Sequence, residues 1–504
     1  MSYSIEFAFW PDFAGNSSHP NIFSENLLAN LGDLQGVRPY LRIGGNTQDY
    51  ALYDPDLPVA INSTYNFTRS EDYPTTITIG PSYFDSYRAL GATKYTHGFN
   101  LALGAITSHG WNTLAATAPL ACKAIGQNID HWEYGNEPDL YSVSAQGPVR
   151  PPTWDAASYV DQWLNGTRHI RQALATTCPG TASAPWVAPS NGGVSNPLRA
   201  QAQWAAGLDD DNNVGLLSTH NYISGAESPG VTLQDTLMNH DETMRSVDAH
   251  VRTRRELIAQ FGESAIPPHI IGEHNSLYHQ GKPGLSNSFG AALWGVDFNL
   301  YAASQGIRRV HMHMGTDYRY ASWQPITTAK TVTGTKPPYY GNIAVAAFLS
   351  PQVGPSVSGN STVSAVHIPL AGRRAAAYAA YVSSHLARLI VINLEAYNST
   401  VNGTGEVNNP DAPDRPQFTY AFQLPGMHTG GAFIQRLSAN GSDAISGITW
   451  DGWSYNRELD GGKPVRLRNV TVGERVPINK GVVKVKVAAS EAVMISLEGD
   501  PGED

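Results

Sequence analysis

Cysteine is scarce in this chain of 504 residues, which has only Cys122 and Cys178. Two thiols cannot build a disulfide framework or a zinc ribbon, and by count alone they are either two buried thiols or one bridge. Charge is thin as well: Asp, Glu, Lys and Arg make up 15% of the chain, with 33 basic against 43 acidic residues for a net charge of -10. There is no block of basic residues, so a phosphate-tracking surface and a nucleic-acid partner are not expected. No apolar run reaches the roughly 18 residues that crossing a bilayer needs, so no membrane partner is expected either. The opening MSYSIEFAFW has no basic n-region, apolar h-region or small-residue cleavage site. Any signal peptide is therefore expected to have been removed or replaced by a start Met.

Apolar residues are plentiful at 41%, with 48 Gly and 33 Pro for turns. That composition supplies a core and excludes disorder of the whole chain. At about 150 residues per domain the length suits three domains, or two large ones. Sequons of the form Asn-x-Ser/Thr begin at Asn16, Asn62, Asn66, Asn165, Asn360, Asn398, Asn402, Asn440 and Asn469. Each alone arises by chance in polar loops, but together they lead us to expect an extracellular, secreted glycoprotein.

Across the first two thirds, short apolar runs alternate with longer amphipathic segments, as in a parallel sheet wrapped by helices. The strand candidates are Ser4–Trp10, Tyr40–Ile43, His97–Leu103, Ile129–Tyr134, Trp186–Pro189, Leu217–Asn221, His269–Gly272 and Arg309–Met314. Trp154–Thr177, with Thr153 as its cap, and Ser288–Gln305 read as helices between them. Eight strand–helix units in about 340 residues favour an α/β (β/α)8 TIM barrel over an open sheet. After Tyr339–Leu349 the texture changes to short alternating runs: Val363–Leu370, Ala375–Ser383, Leu389–Leu394, Phe418–Leu424, Val465–Val472 and Val482–Val487. These predict a C-terminal antiparallel β-sandwich, giving a catalytic barrel over 1–350 and an accessory sandwich over 351–504. The polar, Gly/Pro-rich stretch 398–416 reads as an exposed loop.

Two apolar runs end in carboxylates. Trp132-Glu133-Tyr134-Gly135-Asn136-Glu137-Pro138-Asp139 leads a strand into a sharp turn, and His269-Ile270-Ile271-Gly272-Glu273 ends another. By count these are strands four and seven, which face each other across a barrel mouth, where barrel enzymes keep their chemistry. A single carboxylate before proline is ordinarily just a solvated side chain. Two converging ones suit glycosidic bond cleavage, in which one carboxyl protonates the leaving oxygen and a second, ionised, attacks carbon or activates water. Their environments must then hold the two pKa values apart.

At these residues the chain resembles glycoside hydrolase family 79, the β-glucuronidases and heparanases. The resemblance runs through Ile5-Glu6-Phe7-Ala8-Phe9-Trp10-Pro11-Asp12, Arg42-Ile43-Gly44-Gly45-Asn46, Asn136-Glu137, Glu273, Gly315-Thr316-Asp317-Tyr318-Arg319-Tyr320 and the sandwich. It implies Glu137 as acid/base, Glu273 as nucleophile and Asn136 on the sugar 2-hydroxyl, a contact that strengthens in the transition state. It also implies that Tyr222 hydrogen-bonds the nucleophile, and that Tyr320 and Tyr278 bind the glucuronate carboxylate. Asn46 and Gly315 join the substrate-binding set on the same ground. On its own the Arg42–Asn46 segment reads as a Gly-Gly turn; a Tyr at 222 is equally well a half-buried aromatic, and Tyr318 with Trp323 reads equally well as loop packing.

The expected activity is retaining, exo-acting hydrolysis of terminal β-linked glucuronic acid from glycans or glycoconjugates. Whether a 4-O-methyl group is tolerated stays open. Two alternatives remain: a β-glycosidase for a neutral sugar, and a catalytically silent carbohydrate-binding protein. No cofactor and no metal is expected. His311 and His313 share one face of a strand and could form a His-x-His pair, but no partner motif accompanies them. Asp209-Asp210-Asp211 lacks the spacing of an EF-hand loop.

Overall fold

The computed structural model describes residues 1–143, 148–352, 362–403, 405, 407–425 and 430–497. Eight parallel strands close into a barrel: β1 Ser2–Glu6, β2 Tyr40–Gly44, β3 Tyr95–Phe99, β4 Ile129–Tyr134, β5 Trp186–Asn191, β6 Val214–Gly225, β7 His269–Tyr278 and β8 Arg309–Met314. Each pairs with its chain neighbours, and β1 closes the ring on β8 through Ser2↔His311 and Ile5↔Met314. The principal helices are α1 Ile22–Gln35, α2 Ser108–Ile125, α3 Ala156–Thr177, α4 His240–Phe261, α5 Phe289–Ser304 and α6 Pro337–Phe348. No helix among the described residues is long and apolar enough to cross a membrane.

Strands β4 and β8 have the bounds that the sequence predicts, and the other barrel strands depart from theirs for local reasons. Chain 4–10 is not one strand. β1 stops at Glu6, Phe7–Phe9 turn as a 3-10 helix and Trp10 opens a short helix with Pro11 in its first turn. All of 7–10 is buried, and burial alone cannot tell a tight helix from a strand. The third strand is Tyr95–Phe99 rather than His97–Leu103, because Asn100 Oδ1 accepts from Leu103 N and Gly104 N and turns the chain. β7 runs on through the polar residues 273–278, so Glu273 lies inside the strand instead of ending it. His274, Asn275 and Ser276 are all at or below 2% exposure, which polarity does not suggest. The cap of α3 is Asp155, accepting from Ser158 N at 2.8 Å, and not Thr153.

The C-terminal region is an antiparallel sandwich. One layer runs β9 Val363–Ile368, β10 Ala375–Val382, β11 His385–Asn393, then β16 Glu491–Leu497 and β13 Gly430–Ser438. The other comprises β12 Gln417–Gln423, β14 Glu474–Asn479 and β15 Val482–Ala488. Alternation gives β10 two apolar faces. Ala377 and Ala379 meet Val391, Phe422, Val485 and Ile495 between the layers, whereas Ala376, Tyr378 and Ala380 join the core of the barrel helices. Phe289 N donates to Ala444 O at 2.8 Å and Gly290 N to Ser442 O at 2.7 Å, pinning the start of α5 to the sandwich. Predicted strand Val465–Val472 shrinks to Val465–Arg466, while β13 and β16 are strands that the sequence reading passed over. Cys122 and Cys178 are bridged.

Candidate active site

The mouth at the carboxyl ends of the barrel strands opens on a cavity of about 580 Å³. Glu137 reaches it through a sharp turn. Gly135 has φ 88°, where a Cβ would meet Leu101 Cδ2 at 2.7 Å, and Glu137 itself is left-handed at φ 50°, ψ 52°. A left-handed glutamate is costly backbone, held here by Glu137 N donating to Ser190 O at 2.9 Å. Glu273 rises from β7 opposite. One ligand-capable atom from each of Glu137, His220 and Glu273 lies within 4.8 Å of the other two.

Around the pair the barrel interior is polar and closely bonded. Arg42, 2% exposed, donates from Nη1 to Glu273 Oε2 at 2.7 Å and to Ser4 Oγ at 3.0 Å. Its Nε donates to Glu133 Oε2 at 2.8 Å and its Nη2 to Asn136 Oδ1 at 2.7 Å. Tyr222 OH donates to the other Glu273 oxygen at 2.7 Å. His220 Nδ1 is 3.0 Å from Glu137 Oε1, and His313 Nδ1 is 3.6 Å from Glu273 Oε2. Asn136 is held from both ends: its N–H donates to Asp49 Oδ2 at 2.9 Å, and its Nδ2 donates to Asn46 Oδ1 at 3.0 Å.

These neighbours separate the two glutamates. Burial, then the charge of Glu273, push Glu137 well above the usual carboxylate range against the pull of Arg42 and His313. Burial pushes Glu273 up too, but His313, His220, Arg42 and the Tyr222 hydroxyl outweigh it and hold that carboxyl below its ordinary value. Burial drives His220 down to about 4, so near neutrality it is uncharged and the cations holding Glu273 ionised are Arg42 and His313. Burial lowers His313, yet Glu273 and Glu6 reverse that and raise it. The arrangement keeps a proton on one carboxyl and a charge on the other, the division that acid and nucleophile need.

Glu137, His220 and Glu273 also offer a cation three ligand atoms. However, both Glu273 oxygens already accept, one from a guanidinium and one from Tyr222, and a fixed cation at 2.7 Å disfavours a second. His311 and His313 do not converge on a metal: His313 contacts Ser4 Oγ at 2.9 Å and Glu6 Oε2 at 3.3 Å, whereas His311 Nδ1 sits 3.3 Å from Tyr3 O.

Of the residues singled out from sequence, Asn46, Asn136, Glu137, Tyr222, Glu273, Tyr278 and Tyr320 all line the cavity. Gly315 does not. A Cβ there would meet the Tyr318 ring at 2.5 Å, so its place is under that ring, not against a substrate. Tyr318 OH donates to Glu6 Oε2 at 3.2 Å. The guanidinium of Arg319 is occupied by Asp72 and by main-chain carbonyls. Sequence reasoning missed Arg42, Glu133, His220 and His313 as parts of the site. The available signal was a charged or polar side chain inside each apolar barrel strand, since such groups are buried only when paired.

A closed eight-stranded barrel with two opposed, electrostatically divided glutamates at its C-terminal mouth defines a glycoside hydrolase. Residues 377–494 match the glycosyl hydrolase family 79 C-terminal beta domain. A beta-glucuronidase of Neurospora crassa is 58% identical over 487 residues, covering 94% of this chain and 87% of the relative. One of Aspergillus niger is 53% identical over 503 residues, covering 99% and 90%. The fold is also that of a 4-O-α-L-rhamnosyl-β-D-glucuronidase from Fusarium oxysporum, with a TM-score of 0.76 at 24% identity over 98% of this chain and 95% of the other. The chain belongs to glycosyl hydrolase family 79.

Proposed function

We propose that this chain is a retaining exo-β-glucuronidase that removes terminal β-linked glucuronic acid from glycans or glycoconjugates. The observation that carries the reading is the pair Glu137 and Glu273, close together and driven to opposite protonation states. Glu137 gives its proton to the leaving oxygen while Glu273 attacks the anomeric carbon, and a glycosyl–enzyme ester forms. Glu137, now a base, takes a proton from water, which cleaves the ester with net retention. The close approach of the two carboxyl groups suits retention, for which about 5–5.5 Å is typical, rather than the 6.5–9.5 Å that leaves room for an inverting water. Asn136, oriented by Arg42 and Asp49, is assigned to the sugar 2-hydroxyl, and Tyr222 fixes the nucleophile. Tyr278 and Tyr320 are assigned to the carboxylate and Asn46 to the cavity wall.

The substrate follows the two relatives, both beta-glucuronidases at 53% identity or more over almost the whole chain. A panel of chromogenic glycosides differing only in the sugar tests it: glucuronide should be cleaved far faster than glucoside, galactoside or xyloside. Preferential cleavage of a neutral glycoside would refute the sugar assignment, and no cleavage at all would favour a silent binding protein.

Secretion and glycosylation belong to the same proposal. Asn16, Asn62, Asn66, Asn165, Asn398, Asn402, Asn440 and Asn469 are all exposed, and the Cys122–Cys178 bridge suits an oxidising compartment. Asn360 lies outside the described residues. Endoglycosidase treatment of natively produced protein should increase its gel mobility; an unchanged band would count against glycosylation. The division into a barrel over 1–350 and a sandwich over 351–504 is likewise proposed, supported by the change from barrel helix α6 to antiparallel strands between Phe348 and Val363.

A further inference from the structure

The turn after β7 consists of three successive left-handed residues, His279 at φ 63°, Gln280 at 57° and Gly281 at 82°. Two of the three carry a Cβ, so something must hold the backbone in a conformation that L-residues avoid. Their three carbonyl oxygens share one donor residue. Arg319 Nη2 donates to His279 O at 3.0 Å, Arg319 N to Gln280 O at 2.9 Å, and Arg319 Nε to Gly281 O at 3.0 Å. The guanidinium then closes a two-pronged pair with Asp72, Nη1 to Oδ1 at 2.6 Å and Nη2 to Oδ2 at 2.8 Å.

Each partner adjoins a cavity wall. Asp72 precedes Tyr73, the turn follows Tyr278, and Arg319 precedes Tyr320; Tyr73, Tyr278, His279, Gln280 and Tyr320 all line the cavity, whereas Arg319 does not. One side chain behind the wall therefore ties together the loop after β8, the turn after β7 and the segment between β2 and β3. It also turns three carbonyl oxygens toward itself. Carbonyl oxygens facing the cavity would repel an anion.

We propose that Arg319 is a positioning residue that makes one end of the cavity selective for an anionic sugar, by locking the left-handed turn and drawing its carbonyls away from the substrate. This inference rests on the β-glucuronidase reading. Asp72 neutralises the guanidinium, so Arg319 acts through geometry and not as the group that pairs with the sugar carboxylate. Lysine cannot substitute, because a single ammonium cannot span two carbonyls and a bidentate carboxylate.

The test is Arg319→Lys in the full chain, read two ways. Hydrogen–deuterium exchange in peptides covering residues 277–281 should quicken by roughly tenfold, with melting temperature nearly unchanged. With an aryl glucuronide, KM should rise by about tenfold while kcat stays within about threefold; constants for an aryl glucoside should not move. Asp72→Asn, which keeps the carbonyl bonds, should shift both readouts the same way but less. Unchanged exchange would overturn the lock, and faster exchange with an unchanged glucuronide KM would overturn its role in selectivity. Equal losses on both glycosides would make Arg319 merely structural. If the wild-type enzyme prefers the glucoside, the β-glucuronidase reading fails and the anion-selectivity role with it, while exchange still decides whether Arg319 holds the turn.

Discussion

Arg42 Nη1 lies 2.7 Å from Glu273 Oε2 while Arg42 Nε lies 2.8 Å from Glu133 Oε2, so one buried guanidinium bridges the proposed nucleophile and a carboxylate of the neighbouring strand. Glu133 is itself fixed by Ser190 Oγ at 2.6 Å. The bridge sets the rotamer of Glu273 and favours its ionised form. Removing one partner of such a pair leaves a buried charge uncompensated and costs about 3–5 kcal/mol, so the network stands or falls as a unit.

Glu273→Gln should abolish turnover while leaving the fold intact, since the amide is nearly isosteric but is no nucleophile here. Glu137→Ala should hurt substrates with poor leaving groups most, and added azide should partly restore cleavage of activated ones. Kinetics across a series of aryl glucuronides checks both; equal losses for every leaving group, with no azide rescue, would refute the Glu137 assignment.

The pH profile follows from the two shifts. Turnover needs Glu273 ionised and Glu137 protonated. Because Glu273 is lowered, its charge survives until pH falls below the usual carboxylate range; because Glu137 is raised, its proton survives above that range. Activity should be bell-shaped, with the alkaline limb belonging to Glu137. Arg42→Lys weakens the hold on Glu273 and should move the acid limb up by about one pH unit. An unmoved acid limb would show that Arg42 does not set the nucleophile's ionisation.

Much of this was legible in the sequence, and what was not has physical causes. Strands such as Ile129–Tyr134 and Arg309–Met314 are short, largely apolar runs between turns, so pattern alone delimits them. β7 was cut short because His274, Asn275 and Ser276 look like a loop, although the barrel buries them with hydrogen bonds, such as Asn275 Nδ2 to His313 O at 2.9 Å. Arg42 looked like the lead-in to a Gly-Gly turn because its partners Glu133 and Glu273 lie 91 and 231 residues away. The left-handed turn at His279 and Gln280 was invisible for a different reason: neither residue type announces a positive φ, which only Arg319, from another loop, makes tenable.

The sandwich should be inseparable from the barrel. Tyr378 OH donates to Asp297 Oδ1 at 2.6 Å, and Ala376, Tyr378 and Ala380 of β10 belong to the same core as α5 and α6. Truncation after Leu349 would strip that cover from helices buried on nearly all sides. The barrel alone should be insoluble or unfolded by circular dichroism and gel filtration, and a soluble, active barrel would refute the prediction.

The sugar carboxylate distinguishes a glucuronidase from its neutral-sugar relatives. Tyr320 is 1% exposed, with its hydroxyl 3.4 Å from Tyr222 OH, while Tyr278 is 44% exposed on the cavity wall. Both phenols stay protonated at working pH; for Tyr320, burial first and then Glu273 raise the hydroxyl well above its ordinary value. A protonated phenol is a donor suited to an anion. Tyr320→Phe deletes one hydroxyl bond to an ion, for which about 1.5–3 kcal/mol is typical, so glucuronide kcat/KM should fall roughly 10- to 150-fold. Glucoside cleavage should barely change. The contact at 3.4 Å with Tyr222 supplies the competing explanation, because losing it would loosen the group that holds Glu273. In that case glucoside and glucuronide would lose activity together, and Tyr222→Phe would reproduce the pattern; a loss confined to the glucuronide assigns Tyr320 to the carboxylate.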